Sequence, residues 1–269
     1  MTAIPNKVRE RLAAGQLALG MALRQARTVE IGRVLAACGY DFAFLDMEHN
    51  TMGIDTAAQI AVACHDAGVT PLVRVPGYEH YLATRLLDAG AMGIVFPHVD
   101  TAEHARELVE NCKYPPMGHR SLGGPMAQLG FRPYPRAEST AIVNRETLLV
   151  MMLETPAAID NADAIAAVPG VDVLLIGTND LTLEIGIPGK YDDPRVLRAY
   201  ETVIGACTRH GKHPGMGGIY DHRTMEKYVK VGARFVLCGS DLSFVMAGGQ
   251  ARAEFLPGGQ GLATLDLVK

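Results

Sequence analysis

The sequence contains no tryptophan, and its 269 residues include no long basic run and no basic stripe interleaved with aromatic residues. Because nucleic-acid-binding surfaces concentrate lysine and arginine, this pattern and the formal net charge of -4 disfavour a nucleic-acid partner. No stretch is long and apolar enough to span a bilayer, and the polar amino-terminal residues lack the apolar core of a signal peptide. We therefore expect a cytoplasmic protein without a membrane partner.

Cysteine is sparse, and its pattern predicts no pairing. The cysteines are odd in number, none forms a C-x-x-C pair, and most lie in apolar segments. We therefore predict free, buried thiols in a reducing cytosol. The five residues are Cys38, Cys64, Cys112, Cys207 and Cys238.

Several catalytic motifs are also missing. No G-x-G-x-x-G follows the first predicted strand, and the sequence has neither a G-x-S-x-G elbow nor a Walker loop. None of the seven lysines lies in a predicted strand, whereas a Schiff-base aldolase needs a lysine in a desolvated pocket. These absences favour metal chemistry over imine chemistry.

What the chain does contain is a regular alternation of short apolar segments and helical segments. This alternation, without a break in composition, predicts one (β/α)8 TIM barrel over residues 1–269 rather than a doubly wound sheet. The predicted strands are 17–23, 42–48, 71–77, 93–99, 148–155, 171–178, 213–218 and 234–240.

Two segments depart from the alternation. Residues 114–145 are rich in Pro, Gly and Arg, and we predict that they form a substrate loop at the carboxyl end of strand four. Arg120, Arg132 and Arg136 in this loop are candidates for a groove that binds coenzyme A phosphates. The last helical run, 242–255, is apolar with paired glycines, so it either caps the barrel or packs on a partner chain.

Reactive side chains of such barrels lie where the strands end. Strand two ends in Asp46, Glu48 and His49, which predicts either an imidazole oriented by an acid or a solvated turn. Arg74 lies in an apolar strand and must meet an anion. That anion is either a substrate carboxylate or a structural partner such as Glu48.

Two acidic residues follow adjacent strands. Glu154 ends strand five and Asp180 follows strand six. Such a pair of hard oxygen ligands suits Mg²⁺ or Mn²⁺ and leaves positions open for substrate, although both residues could instead cap helices. His98, at the end of strand four, either faces the site or fills space at the top of the barrel.

The spacing of several blocks resembles the HpcH/HpaI aldolase family along nearly the whole chain. The family comprises metal-dependent pyruvate aldolases related to 2-keto-3-deoxy sugar-acid aldolases and to the citrate lyase β-subunit. The resemblance implies a homohexamer, a trimer of dimers, in which the C-terminal helix is exchanged between subunits. The blocks are GYDFAFLDMEH, PLVRVPG, LLDAGAMGIVFPHVDTAEHA, YPPMGHR, ETPAAIDNADAIAAVPGVDVLLIGTNDL and GIPG.

The resemblance also implies roles for individual residues. Glu154 and Asp180 would hold Mg²⁺, Mn²⁺ or Co²⁺, and Arg74 would bind the carboxylate of a 2-oxo acid and steady its enolate. His49 would perform the acid–base step with Asp46 as its orienting partner, and Asp88 would be a further catalytic acid near the subunit interface. The remaining substrate contacts implied are Gly177, Thr178 and Asn179.

The expected activity is cleavage or formation of a 4-hydroxy-2-oxo acid, giving pyruvate or a related 2-oxo acid plus an aldehyde. Three alternatives stay open: an acyl-CoA lyase, an oxaloacetate decarboxylase, and a barrel without catalysis. Met47, His98 and Ser121 depart from the usual family pattern, and these departures leave the acceptor aldehyde undetermined.

Overall fold

A computed structural model describes residues 4–77 and 80–255 of the chain. Its strands are parallel, pair in sequence order and close into one barrel of eight, which confirms the predicted fold. Every predicted strand is present, although most end a few residues earlier than expected. The strands are β1 (Ala18–Leu23), β2 (Phe42–Asp46), β3 (Thr70–Arg74), β4 (Gly93–Phe96), β5 (Leu148–Leu153), β6 (Val173–Gly177), β7 (His213–Gly217) and β8 (Phe235–Ser240).

The interior of the barrel is filled by every second strand residue. Phe42 and Phe44 of β2 belong to this inner cluster together with Leu148, Val150 and Met152 of β5, as the two-residue repeat of a strand requires. Phe42 stacks on Phe235 of β8, with ring centroids 4.4 Å apart. The same alternation decides which residues face inward at the top of each strand.

Helices surround the strands and bury a second, larger apolar layer. Within the described residues the helices are α1 (Lys7–Ala13), α2 (Ile31–Ala37), α3 (Ile54–Asp66), α4 (His80–Asp88), α5 (Ala102–Cys112), α6 (Arg136–Glu146), α7 (Pro156–Asp160), α8 (Ala162–Ala166), α9 (Thr178–Glu184), α10 (Pro194–His210), α11 (His222–Val231) and α12 (Asp241–Phe255).

The Pro- and Gly-rich segment lies at the other end of the barrel from the one predicted. Helix α5 separates it from β4, and it leads through α6 into the start of β5. Gln128 in this segment donates to the carbonyl of Ala91, just before β4 begins. The prediction of a substrate loop at the carboxyl ends of the strands was therefore wrong, because the intervening helix returns the chain to the amino-terminal end.

Helix α12 is poorly covered by its own barrel. Of its 15 residues, Asp241 alone is buried, while Phe244, Val245, Met246 and Phe255 are between 45% and 76% exposed.

Among the described residues, no helix is both long and apolar enough to cross a membrane. The cysteines are all free, but Cys38 is exposed and Cys238 partly so, and the expectation of burial holds for the other three.

Candidate active site

The inward-facing rows of β2, β3 and β5 lead to charged residues at the top of the barrel. Asp46 follows Phe42 and Phe44 in β2, and Glu154 follows the inner residues of β5. Arg74 is the last residue of β3, in register with Asp46. Because the strands are parallel, these side chains converge at the carboxyl end of the barrel, where enzymes of this fold carry out their chemistry.

Asp46 and Arg74 form a buried, bidentate ion pair. Arg74 Nε donates to Asp46 Oδ1 at 3.0 Å, and Nη2 donates to Oδ2 at 2.8 Å. Burial raises the pKa of Asp46, but the hydrogen bonds and charge of Arg74 outweigh it and hold the pKa below its ordinary value. The guanidinium lies over the ring of Phe44, 5.4 Å from its centroid, so its plane is fixed from two sides.

Glu48 supplies a second carboxylate to the same guanidinium. Its Oε2 lies 2.9 Å from Arg74 Nη1, within ion-pair distance. This buried oxygen nevertheless has no partner with hydrogen-bond geometry among the described residues. His49 Nε2 is 3.6 Å from Oε2, and His98 Nε2 is 3.4 Å from Oε1. Arg74 thus has the structural partner that was considered from the sequence, and it also lines the cavity described below.

Asp46 does not orient the imidazole of His49 as expected. It meets His49 through the backbone N–H, which donates to Oδ1 at 3.3 Å, and its two oxygens are taken by Arg74 and Arg24. The carboxylate that faces the imidazole is that of Glu48. His49 is half-exposed at the cavity and therefore accessible to a bound substrate.

Glu154 is almost completely buried and is held by His98. The backbone N–H of His98 donates to Glu154 Oε2 at 2.8 Å, and the ring Nδ1 lies 3.0 Å from the same oxygen. The pKa of Glu154 is raised to about 7, mainly by burial and also by the charges of Asp180 and Glu48, which together outweigh the lowering effect of His98. His98 therefore faces the site, which decides between the two positions considered for it.

The donor chemistry of Glu154 and Asp180 fits a hard divalent cation. Asp180 lies in the first turn of α9 and lines the cavity, whereas the cap of α7 is Thr155 rather than Glu154. Crowding of buried carboxylates is relieved when a cation binds between them. The described residues contain no set of three or more His, Cys, Asp or Glu side chains placed around one ion, so substrate and water would complete the coordination.

A cavity of about 270 Å³ opens at this end of the barrel. Its size is near the lower end for small-molecule sites. It brings together the predicted residues Asp46, His49, Arg74 and Asp180 with the predicted contacts Gly177, Thr178 and Asn179. Sequence reasoning missed three of its polar side chains, Arg24, Tyr220 and Ser240. The signal for Arg24 was available, since a charged residue directly follows the apolar strand β1.

Comparison with known proteins places this site in a family. A family model described as HpcH/HpaI aldolase/citrate lyase matches residues 23–247, which include all the strand ends that form the cavity. The chain belongs to this family.

HpcH/HpaI relatives with named activities are similar over almost their whole length. A 4-hydroxy-4-methyl-2-oxoglutarate aldolase from Hapsidospora irregularis is 39% identical, over 92% of this chain and 93% of the relative. A 5-keto-4-deoxy-D-glucarate aldolase from Klebsiella pneumoniae subsp. pneumoniae is 31% identical, over 93% and 96%. The crystal structure of an HpcH/HpaI aldolase from Desulfitobacterium hafniense matches with a TM-score of 0.86 at 33% identity, over 93% and 98%.

The chain is accordingly a carbon–carbon lyase, and HpcH/HpaI enzymes generally depend on a divalent metal. Two predicted site residues of this HpcH/HpaI chain do not line the cavity. Glu154 lies beside it, next to the cavity residue Gly177, whereas Asp88 does not join the site. Asp88 ends α4 and pairs with Arg120, whose Nη2 lies 2.5 Å from Oδ1, outside the cavity. Any catalytic part for Asp88 therefore needs a second subunit.

Proposed function

We propose that this protein is a divalent-metal-dependent aldolase that cleaves 4-hydroxy-2-oxo acids between C3 and C4, releasing pyruvate and a carbonyl product. The observation that carries the proposal is the convergence of buried Glu154 with Asp180 and the guanidinium of Arg74. Burial is the main cause of the raised pKa of Glu154, and the charge of Asp180 adds to it. Burial lowers the pKa of Arg74, but Asp46 chiefly, with smaller effects of Glu48 and Glu154, raises it above its ordinary value. Fixed charges of both signs in a desolvated pocket are what an enolate-forming site requires.

Glu154 and Asp180 are the residues that would hold Mg²⁺, Mn²⁺ or Co²⁺. When bound, such an ion supplies positive charge that stabilises the developing enolate oxygen. Arg74 supplies a second positive charge, held in place by Asp46 and Glu48. The guanidinium therefore needs little reorganisation as negative charge develops on the substrate.

His49 is the base in this proposal. It removes the proton from the C4 hydroxyl, the O–H electrons form the new carbonyl at C4, and the C3–C4 bond breaks. The electron pair of that bond becomes the enolate of pyruvate, and the proton held by His49 returns to C3, directly or through water, which restores the base. Glu48 faces the imidazole at 3.6 Å and stabilises the imidazolium that forms.

The relatives indicate which substrates to test first. We propose 4-hydroxy-4-methyl-2-oxoglutarate and related 4-hydroxy-2-oxo acids, because the relative named for that substrate is 39% identical. Oxaloacetate decarboxylation passes through the same enolate and is the second candidate. Acyl-CoA cleavage is less favoured, since Arg120 is buried against Asp88 and the arginine-rich segment lies at the opposite end of the barrel.

We also propose a homo-oligomeric, cytoplasmic enzyme, as the resemblance implied. The support for assembly is α12, whose apolar side chains are largely exposed on their own barrel. A hexamer with exchanged C-terminal helices would bury them. The free thiols are consistent with a reducing compartment.

The deciding experiment follows C3 proton exchange of pyruvate in D₂O by NMR, together with pyruvate release from 4-hydroxy-4-methyl-2-oxoglutarate. Both activities should disappear with EDTA and return with Mg²⁺ or Mn²⁺. Glu154→Gln and Asp180→Asn should abolish both, whereas the exposed Glu184→Gln and Asp160→Asn should not. Undiminished activity in the EDTA-treated protein, or in either site variant, would refute the proposal.

A further inference from the structure

The cavity contains a second guanidinium that the pyruvate half of the reaction does not use. Arg24 follows β1 and lines the cavity across the barrel from Glu154 and β5. Arg74, on β3, already provides the cation for the enolate in the proposed function. The position of Arg24 therefore raises the question of what else in the substrate carries negative charge.

The backbone of Arg24 is fixed by a buried carboxylate. Asp241 accepts hydrogen bonds from the backbone N–H groups of Arg24 at 2.8 Å, Gln25 at 2.9 Å and Ala26 at 2.7 Å. Asp241 is itself 8% exposed. These three hydrogen bonds fix the backbone from which the Arg24 side chain extends. Less conformational entropy is therefore lost when a ligand binds the side chain.

The side chain of Arg24 is anchored at one end and open at the other. Its Nε donates to Asp46 Oδ2 at 3.2 Å. Within residues 4–77 and 80–255, the two terminal nitrogens have no hydrogen-bond partner in the protein. Asp46 meanwhile gives both of its oxygens to Arg74, so it compensates the charge of Arg24 incompletely.

We propose that Arg24 binds a carboxylate on the C4 side of the substrate, and that the preferred substrates are 4-hydroxy-2-oxo acids with a second carboxylate. The inference rests on the proposed function, which places the 2-oxo acid end at Glu154, Asp180 and Arg74. A planar guanidinium whose two terminal nitrogens are open can meet a carboxylate in bidentate fashion. The 270 Å³ cavity favours this compact group over a bulkier anion.

Two substrates that differ at one group test the inference. In 4-hydroxy-2-oxoglutarate, C4 carries a carboxylate, and in 4-hydroxy-2-oxopentanoate it carries a methyl group. The wild-type enzyme should have the higher kcat/KM for the dicarboxylate. Arg24→Met should reduce the ratio of the two kcat/KM values about 10-fold to 100-fold, as expected for a lost charge-assisted hydrogen bond, and Arg24→Lys should reduce it less.

Arg27 provides the matched control. It is an exposed arginine of the same loop that does not line the cavity, so Arg27→Met should keep the wild-type ratio. If Arg24 acts on the chemistry only through Asp46, Arg24→Met will slow both substrates equally and leave the ratio unchanged. That result, or a wild-type preference for the pentanoate, would overturn the inference.

Failure of the inference is distinguishable from failure of the proposed function. Pyruvate C3 proton exchange by the wild-type enzyme needs no acceptor, so it tests the enolate chemistry alone. Metal-dependent exchange with an unchanged substrate ratio in Arg24→Met would refute the role of Arg24 and retain the aldolase. No exchange at all would remove the basis for both.

Discussion

Asp46 and Arg74 occupy paired positions on neighbouring strands, and two hydrogen bonds join their side chains. The register of β2 and β3 therefore fixes the guanidinium at the top of the barrel. Each residue depends on the other, because loss of either would leave a buried charge with only one, less complete partner, Arg24 for Asp46 or Glu48 for Arg74. The pair is a rigid support for the cation that faces the substrate.

This relationship predicts that lysine cannot replace Arg74. Arg74→Lys keeps a positive charge but loses the planar fork that meets Asp46 and Glu48 together. We expect kcat to fall about 100-fold or more, the scale of losing one donor to a developing oxyanion. Steady-state pyruvate release measures it.

Arg195 is the matched control for this substitution. It forms a similar two-bond pair with Asp193, with Nε and Nη2 each at 3.0 Å, but on the surface. Arg195→Lys should therefore leave kcat near the wild-type value. Equal kcat values for the Arg74→Lys enzyme and the wild type would contradict the role given to the guanidinium.

The close packing of Gly177 against Glu154 allows a test of the metal site. A Cβ at this position would lie 2.6 Å from Glu154 Cγ and 2.7 Å from Oε1, so Gly177→Ala must displace the carboxylate. We expect weaker Mn²⁺ binding, measured by electron paramagnetic resonance of free Mn²⁺. Gly53→Ala, where a Cβ meets open space, should bind Mn²⁺ as the wild type does; a Gly177→Ala protein with undiminished affinity would argue against Glu154 as a ligand.

The ring of His98 predicts a second effect on metal affinity. His98 has a φ of 53°, a conformation that glycine adopts freely, so His98→Gly removes the imidazole and retains the backbone N–H bond to Glu154. Partners of metal-binding carboxylates are worth about 10-fold to 100-fold in affinity, and we expect a loss of that size by calorimetric titration with Mn²⁺. His104→Gly, on the outer helix α5, controls for general destabilisation.

Lys113 predicts a pH-dependent stability that is independent of catalysis. It is buried and donates to the carbonyls of Asn144 and Thr147 at 2.7 and 2.6 Å. Burial lowers the pKa of Lys113 from 10.5 to about 8. Between pH 8 and 10.5 the unfolded chain therefore binds more protons at this residue than the folded chain, and its contribution to folding stability rises with pH.

Lys113→Met should lower the free energy of unfolding by about 1–3 kcal/mol, because the carbonyl of Asn144 loses its lysine donor; that of Thr147 retains Arg9. The difference from wild type should be larger at pH 9.5 than at pH 7.5. Urea unfolding followed by circular dichroism measures both. A difference that shrinks as the pH rises would show that the lysine stays charged in the folded state.

The sequence predicted the barrel and most of the candidate site residues at the carboxyl ends of its strands, because both follow from short-range patterns. Apolar segments marked the strands, and charged residues at or near their carboxyl ends marked Asp46, Arg74 and Glu154. The contacts between these residues depend on register and on side-chain competition. For that reason the sequence could not show that Asp46 would be taken by two arginines and that Glu48 would face His49 instead.

Other features were missed for different physical reasons. Helix α6 begins inside the Pro- and Gly-rich segment that was predicted to be a loop, and α9, considered only as an alternative at Asp180, begins at the last residue of a predicted strand. Local propensity is weak for both, and packing on the barrel decides them. Arg24 was overlooked because its importance arises from the cavity that β1 shares with distant strands.

Asp241 is the first residue of α12, and the same carboxylate holds the loop of Arg24. A shift of α12 would therefore move the backbone of Arg24, the residue that we propose selects the substrate. A neighbouring molecule bound to α12, or a tag fused after it, would therefore change the substrate selectivity of the enzyme before it changed the enolate chemistry.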